Sequence, residues 1–365
     1  MLVGGVSTDG VPWPSLVSLF ALAVLLSAAL TFLARQIGLR RPAFVDHPRP
    51  GELQRSPTPR TGGYAVLLAF LLTVAVSLLL FPRYGDEYPR LLGLVIGGAL
   101  ISPFAVLDDT RRLRPLPQFG WQMVVAMVAI LCGTTLSSIA SPFGGVISIP
   151  WVLAVPITLI WFLGMINTLN FLDTMDGLAA GISSIAAAVL CLRALMQGQI
   201  TIAVLGLALA GVCLGFLPHN LSRSKIILGT SGSMFLGYAL ATLGIIGGAK
   251  AATTLMVLAV PILDTALVIA RRMLSGRSPF KGGDSAHLPH QLLLMGVPQT
   301  VVLGLLCSLC IILGLMSLLL TPVQKLVAFA VLAAALVAAV GWVAWSIRRP
   351  GEGKPRSPGA STAPR

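Results

Sequence analysis

Between Trp161 and Gly181 the chain reads WFLGMINTLNFLDTMDGLAAG. An apolar run stops there in Asn167, Asn170, Asp173 and Asp176. A spacing of three residues sets these four oxygen-bearing side chains on neighbouring positions of one helical face. They stand where a membrane helix would emerge into water, and ionisable groups at that depth are costly enough to mark a functional site. Asp108 and Asp109 close a second apolar run, and Asp264 lies within a third. Three helices thus bring carboxylates to one membrane face. Clustered hard oxygens suit Mg²⁺, which takes one or two carboxylates plus waters and substrate phosphates. A lone Asp at a helix boundary would read as a cap or a solvated end; a set on three helices reads as a site.

The same face carries phosphate-binding material. In LPHNLSRSKIILGTSGS (217–233), Arg223 and Lys225 bring charge. Gly229-Thr230-Ser231-Gly232-Ser233 opens a helix there, whose free backbone N–H groups can receive an anion. In RRMLSGRSPFKGGDSAHLPHQLL (271–293), His287 and His290 follow four basic residues. With no Cys or other third ligand nearby they do not read as a zinc site. Imidazoles reaching a phosphate or a sugar hydroxyl fit better. All five cysteines lie within apolar runs and read as small packing residues, the Cys307–Cys310 pair included.

Such groups must be positioned by membrane helices. The chain has 365 residues, 56% hydrophobic and 10% charged, against about 25% charged in a soluble globular chain. Eleven apolar stretches approach the length that crosses a bilayer: roughly 15–34, 64–81, 90–107, 119–138, 151–170, 178–196, 200–217, 232–248, 251–270, 300–320 and 325–347. They are continuous rather than alternating, so strands are not expected. The expectation is an all-α integral membrane protein with about eleven transmembrane helices. One polytopic domain covers 1–347, and a basic, disordered tail rich in Pro, Gly, Ser and Arg covers 348–365. The Pro- and Arg-rich segment 46–63 reads as an ordered cytoplasmic loop.

The net charge is +13, yet its distribution does not point to nucleic acid. With the N-terminus outside, the loops at 35–63, 108–118, 218–231 and 271–299 and the tail hold 20 of the 25 Lys and Arg. The other five are Arg83, Arg90, Arg193, Lys250 and Lys325. That asymmetry follows the positive-inside rule and puts the carboxylate-bearing loops in the cytoplasm. No basic residue precedes the first apolar run, so it reads as a retained helix rather than a cleaved signal. A transporter is not expected, because the acids lie at one face rather than at the bilayer midplane.

Taken in order, these motifs resemble those of the polyprenyl-phosphate N-acetylhexosaminyl-1-phosphate transferases (glycosyltransferase family 4). Those enzymes start the lipid stage of cell-envelope polysaccharides such as peptidoglycan, O-antigen and teichoic acid. PRTGG (59–63) resembles the family's PRLGG, and VLDDTRRL (106–113) its aspartate pair. NTLNFLDTMDGLAAG (167–181) is similar to NxxNxxDGxDGLAAG, the most specific of the motifs. FLPHNLSRSKIILGTSGSMFLGY (216–238) resembles the GDSGS segment, and HLPHQLL (287–293) the HLHHRLL stretch. The resemblance runs from about Asp46 to Leu293.

The resemblance implies a multi-pass enzyme of the bacterial inner membrane. In that family a polyprenyl phosphate such as undecaprenyl phosphate attacks the β-phosphate of a UDP-N-acetylhexosamine. The products are a polyprenyl-diphospho-sugar and UMP. Mg²⁺ or Mn²⁺ is the implied cofactor and a homodimer the implied assembly. Carried over by position, Asp108, Asp109 and Asp173 would hold the metal and, with Asp176, make up the catalytic set. Asn167 and Asn170 would help place the nucleotide. Arg60, Lys225, Ser231, His287 and His290 would contact substrate. The HLxH form resembles the sugar-phosphate branch of the family rather than the muramoyl-pentapeptide branch.

The departures from the family pattern fall on charged positions. Thr230 stands where GDSGS has its metal-ligating aspartate, and threonine is the poorer Mg²⁺ ligand. Gln118 replaces a Lys, Gly51-Glu52-Leu53-Gln54 an Arg-Lys-x-His pattern, Thr174 a Gly, and Pro289-His290-Gln291 an HHR. Two readings follow: an active transferase with a rearranged site, and a catalytically impaired homologue that binds polyprenyl phosphate or a transferase partner. The intact NxxNxxDxxDG, the aspartate pair and Lys225 favour the first.

Overall fold

A computed structural model describes residues 12–46, 57–83, 85–111, 113–141, 145–221, 224–246, 250–276 and 287–348. Its helices are α1 (Trp13–Leu39), α2 (Gly62–Leu80), α3 (Glu87–Arg111), α4 (Pro115–Leu131), α5 (Trp151–Leu172), α6 (Leu178–Met196) and α7 (Ile200–Asn220). There follow α8 (Gly229–Ile245), α9 (Ala251–Val257), α10 (Ala259–Leu274), α11 (Leu288–Leu294), α12 (Gln299–Leu319) and α13 (Pro322–Arg348). Contrary to the expectation of no strands, two short antiparallel hairpins lie outside the helices. In one, β1 (Val45–Asp46) pairs with β2 (Thr58–Pro59), Val45 opposite Pro59. In the other, β3 (Ser138–Ala140) pairs with β4 (Val146–Ser148).

A helix that is apolar all round is covered by protein or by lipid; α8 is covered by protein. In α8 every residue from Ser231 to Ile245 is buried, and α2, α3, α5, α6, α7 and α9 pack around it. Glycine permits the closest of these approaches. A Cβ on Gly63 would fall 2.0 Å from the Gly232 nitrogen, so α2 and α8 meet backbone to backbone where both begin. The two large polar rings packed on or inside α8 find backbone partners, as a low-dielectric interior demands. The Tyr238 hydroxyl donates to the Gly93 carbonyl at 2.6 Å and the Trp161 indole N–H to the Ala241 carbonyl at 3.0 Å.

Helices occupy all eleven apolar runs, but fewer qualify as spans. Seven (α1, α2, α3, α5, α6, α7 and α12) are long and apolar enough to cross a membrane, and the pair α9–α10 makes eight if counted as one broken span. The helices α4 and α8 have 17 residues each, about 26 Å, just short of a hydrocarbon core of about 30 Å. The run at 119–138 overshoots α4, because its last residues enter a turn and β3. The run at 251–270 is not straight: α9 and α10 meet at 79°. Pro261 has no N–H to give the Val257 carbonyl, and its ring crowds that carbonyl; α9 ends at Val257. Residues 47–56, Arg223 and 349–365, which include most of the loop read at 46–63, the departures at 51–54 and nearly all of the tail, lie outside the described residues.

The helices give the bundle two chemically different ends. The long helix α3 begins at Glu87 and finishes with Asp108 and Asp109, so the two ends stand roughly 35 Å apart.

Candidate active site

The site is framed where the segment before α2 meets the segment before α8. Ile227 N–H donates to the Pro59 carbonyl at 2.9 Å, and Gly62 and Gly63 N–H donate to the Ile227 and Leu228 carbonyls at 3.0 and 2.8 Å. This strand-like pairing fixes Arg60 beside the start of α8. The chain then turns into α8 through Gly229, whose φ of +72° lies in the region that a side chain disfavours. A Cβ there would stand 3.6 Å from Asp109 Oδ1, so the turn presses directly on the end of α3.

Successive residues of a helix point about 100° apart, so Asp108 and Asp109 diverge. Asp108 Oδ2 accepts the Thr230 hydroxyl at 2.8 Å, and its Oδ1 accepts the Leu113 N–H at 3.1 Å. Asp109 is 7% exposed. Its Oδ2 accepts the Tyr64 hydroxyl at 2.9 Å, while its Oδ1 is buried with no hydrogen-bond partner.

The end of α5 supplies the second pair. Asp173 follows Leu172 as the C-cap. It keeps some accessible surface but lies deep among protein atoms, and this burial holds its pKa well above the usual carboxylate range. The Gly229 amide and Arg60 oppose that shift, whereas Asp176 and Asp109 add to it. Asp176 Oδ2 accepts the Ser224 N–H at 3.2 Å, tying the loop that carries Lys225 to the site. Arg60 is paired with Asp46 across the first hairpin, at 2.5 Å from Nη2 and 3.1 Å from Nε.

The remaining expected residues divide. Asn170 Oδ1 lies 3.0 Å from the Ser233 hydroxyl, at the start of α8. Asn167 turns the other way: its Nδ2 donates to Gln122 Oε1 at 2.7 Å and to the Leu163 carbonyl at 2.8 Å. Its amide braces α5 against α4 instead of reaching the carboxylates. Ser231 is fully buried, its hydroxyl beside Gly63 and Tyr64. It is placed to pack α8 on α2 rather than to meet a substrate. Lys225 is exposed, with its carbonyl accepting Arg35 Nε at 3.2 Å.

His287 forms a neighbouring cluster. Its Nδ1 lies 2.8 Å from Asp264 Oδ2, and the Leu288 N–H donates to Asp264 Oδ1 at 2.8 Å. Its ring packs on Phe171, centroids 5.4 Å apart, which docks α11 against the end of α5. Burial, with His287 nearby, holds the His290 pKa below the usual imidazole value.

Asp108, Asp109 and Asp173 reach the same end of the bundle, but no three His, Cys, Asp or Glu among the described residues close on one point as a metal cage. The divergence of adjacent helical residues explains why. Sequence reasoning missed Tyr64, which holds Asp109, and Asn220. The buried Asn220 accepts the Gly177 N–H at 2.8 Å and donates to the Ile226 carbonyl at 2.9 Å, joining the two site loops. Its polarity at the end of an apolar helix was the available signal.

A profile described as glycosyl transferase family 4 matches residues 91–248. A Bacillus subtilis protein named probable undecaprenyl-phosphate N-acetylglucosaminyl 1-phosphate transferase is 30% identical over 285 residues, covering 76% of this chain and 77% of the relative. A Mycolicibacterium smegmatis decaprenyl-phosphate N-acetylglucosaminephosphotransferase is 35% identical over 309 residues, 76% of each. A Clostridium kluyveri phospho-N-acetylmuramoyl-pentapeptide-transferase is 28% identical over 281 residues, 73% of this chain and 85% of the relative.

Proposed function

The chain belongs to glycosyl transferase family 4, and on that premise we propose that it transfers N-acetylhexosamine 1-phosphate from a UDP-sugar to a polyprenyl phosphate in the bacterial inner membrane. UMP is released, and the product opens the assembly of a cell-envelope polysaccharide. N-acetylglucosamine is the sugar that the relatives at 30–35% identity name, and we take UDP-N-acetylglucosamine as the donor. The observation that carries this reading is the meeting of Asp108 and Asp109 from α3 with Asp173 and Asp176 from the end of α5, at the turn into α8.

A divalent cation fits this oxygen set. Asp109 Oδ1 is a buried carboxyl oxygen left without a hydrogen-bond partner in the protein, and Mg²⁺ needs only one or two carboxylates when waters and phosphates complete its shell. Asp109 would hold it, with Asp108 and Asp173 at the same end, and the bound ion would offset charge on the diphosphate and on the departing UMP.

The chain's own residues do the positioning, which is most of what phosphoryl transfer asks of a protein. The Thr230 hydroxyl fixes one oxygen of Asp108, and the Tyr64 hydroxyl fixes one oxygen of Asp109. Asp176 anchors the loop beside Lys225, leaving that exposed ammonium at the rim to meet a phosphate. The attacking lipid phosphate has a second pKa of about 6 and is largely ionised at neutral pH, so no side chain need take its proton. Asn167 acts as a positioning residue through Gln122. His287, oriented by Asp264, offers its second nitrogen to the diphosphate or the sugar. The reading is tested by supplying membranes that contain the protein with undecaprenyl phosphate, Mg²⁺ and UDP-N-acetylglucosamine. UMP release must require all three.

A further inference from the structure

The five cations that the sequence sets apart from its basic loops are Arg83, Arg90, Arg193, Lys250 and Lys325. The structure gathers them at the end of the bundle opposite the carboxylates. Arg83 follows α2, Arg90 is in the first turn of α3, Arg193 in the last turn of α6, Lys250 precedes α9, and Lys325 is in the first turn of α13. At this end opens a cavity of about 330 Å³, whose walls include Arg90 and Glu87 together with Gln199, Thr201 and Ile246.

Arg90 lines it directly, and Arg83 and Lys250 bond to its wall residues Thr201 and Gln199 from behind. Arg83 is 4% exposed. Its Nη1 donates to the Thr201 hydroxyl at 3.0 Å and its Nη2 to the Ser77 hydroxyl at 3.1 Å. Lys250 is wholly buried and donates to Gln199 Oε1 and towards the Ile246 carbonyl. Its ammonium, drawn down to about 8 by burial and by Arg193, is still mostly protonated at neutral pH. Lys325 is also buried and donates to the Thr253 hydroxyl at 3.1 Å. Arg193 lies close enough for its charge to bear on both lysines.

A buried cation is expensive unless an anion pairs with it. Here the partners of Lys250 and Lys325 are neutral oxygens. The Nε groups of Arg83 and Arg193 are buried with no hydrogen-bond partner. Among the described residues, two acids stand at this end. Glu87 accepts the Thr201 hydroxyl at 2.9 Å and its charge acts on Arg83, and Asp86 lies 3.8 Å from Arg90 at the surface. Two carboxylates against five cations leave positive charge and two orphaned guanidinium donors.

We propose that this cavity binds a phosphate group, free or carried on a lipid headgroup, at the membrane face opposite the transferase site. The Arg90 guanidinium would meet the phosphate oxygens, and the charges of Arg83 and Lys250, behind Thr201 and Gln199, add to the attraction. The site is independent of the carboxylate end and of the reaction assigned there.

The test uses the full-length protein purified in a neutral detergent. One arm titrates inorganic phosphate. The other adds phosphatidylglycerol in nanodiscs of phosphatidylcholine, with bound lipid read by native mass spectrometry. Both are repeated with Arg90→Gln and with Lys250→Met, because the carboxylate end also meets phosphates. The expected result is binding to the wild type that weakens about tenfold in Arg90→Gln, as the loss of one charged hydrogen-bond donor predicts, and to a lesser degree in Lys250→Met, whose charge stands behind the wall residue Gln199. Binding of inorganic phosphate identifies a free anion, and retention of phosphatidylglycerol alone identifies a lipid headgroup. If Lys250→Met does not fold, Arg90→Gln decides, since its side chain is partly exposed. Absence of binding by the wild type in both arms, or undiminished binding by the variants, overturns the proposal.

Discussion

The two ends of the α2–α3–α6–α7 bundle bury opposite charges. At one, Asp109 is nearly enclosed with an open oxygen and Asp173 is held far from its ordinary pKa. At the other, Arg83, Lys250 and Lys325 are enclosed with hydrogen bonds to neutral oxygens, Glu87 acting on Arg83 alone of the three. In both places the protein accepts unpaired charge in a low-dielectric setting, which costs stability and persists where a ligand repays it. The difference lies in what each end can recruit. Carboxylates at the turn into α8 call for a cation and, through it, a diphosphate. A guanidinium in a cavity wall, with further cations behind it, calls for the anion directly.

The sharpest way to break this contrast is Asp109→Asn. It keeps the Tyr64 contact within reach but removes the carboxylate that would ionise to hold the cation. UMP release should fall by on the order of 10²–10³-fold, the effect of losing one preorganised charge-stabilising group. The thermal midpoint of the metal-free protein should hold or rise, because a buried charge is gone.

Next comes pH. The raised pKa of Asp173 means that, from about pH 4 up to that raised value, the folded protein keeps a proton the unfolded chain has released. The stability of the metal-free protein therefore falls as pH rises across this window. A bound cation needs the ionised carboxylate, so Mg²⁺ affinity should climb across the same window by up to about tenfold per pH unit. Asp173→Asn should flatten both slopes, as read by thermal unfolding and by Mg²⁺ titration calorimetry.

A smaller effect is expected at Thr230. Thr230→Val removes the hydroxyl given to Asp108 and should lower turnover roughly tenfold, the size of about one hydrogen bond to a charged group. Thr230→Asp sets a second carboxylate against Asp108. It should lower the thermal midpoint without Mg²⁺ and recover it with Mg²⁺. The smallest effect belongs to the other end: Arg90→Gln should leave UMP release within about twofold of wild type, as befits a partly exposed residue remote from the chemistry.

What could be read in the sequence was what local composition decides. The apolar runs became helices, and the carboxylates at their ends became a cluster, because a charged group at the end of a membrane helix has few places to go. What escaped depends on contacts between distant segments. Asn167 looked equivalent to Asn170 along the helix, yet it faces Gln122 of α4 while Asn170 faces Ser233 of α8. Ser231 sat in an apparent anion-binding turn, but Gly63 lets α2 close over it. The broken α9–α10 run was marked by Pro261, yet Pro103, Pro156 and Pro218 lie inside helices that continue, so proline alone does not locate a bend. The departure at Thr230 gains a physical account: a neutral hydroxyl replaces repulsion with a hydrogen bond where another carboxylate would face Asp108.

The central claim is that the carboxylate end performs the transfer. The most direct measurement is UMP release by purified protein in nanodiscs containing undecaprenyl phosphate, with UDP-N-acetylglucosamine, with and without Mg²⁺, for the wild type and Asp109→Asn. The account predicts release by the wild type that depends on lipid and metal and is lost in the variant. No release by the wild type while the Bacillus subtilis relative turns over under the same conditions, or undiminished release by the variant, would contradict it.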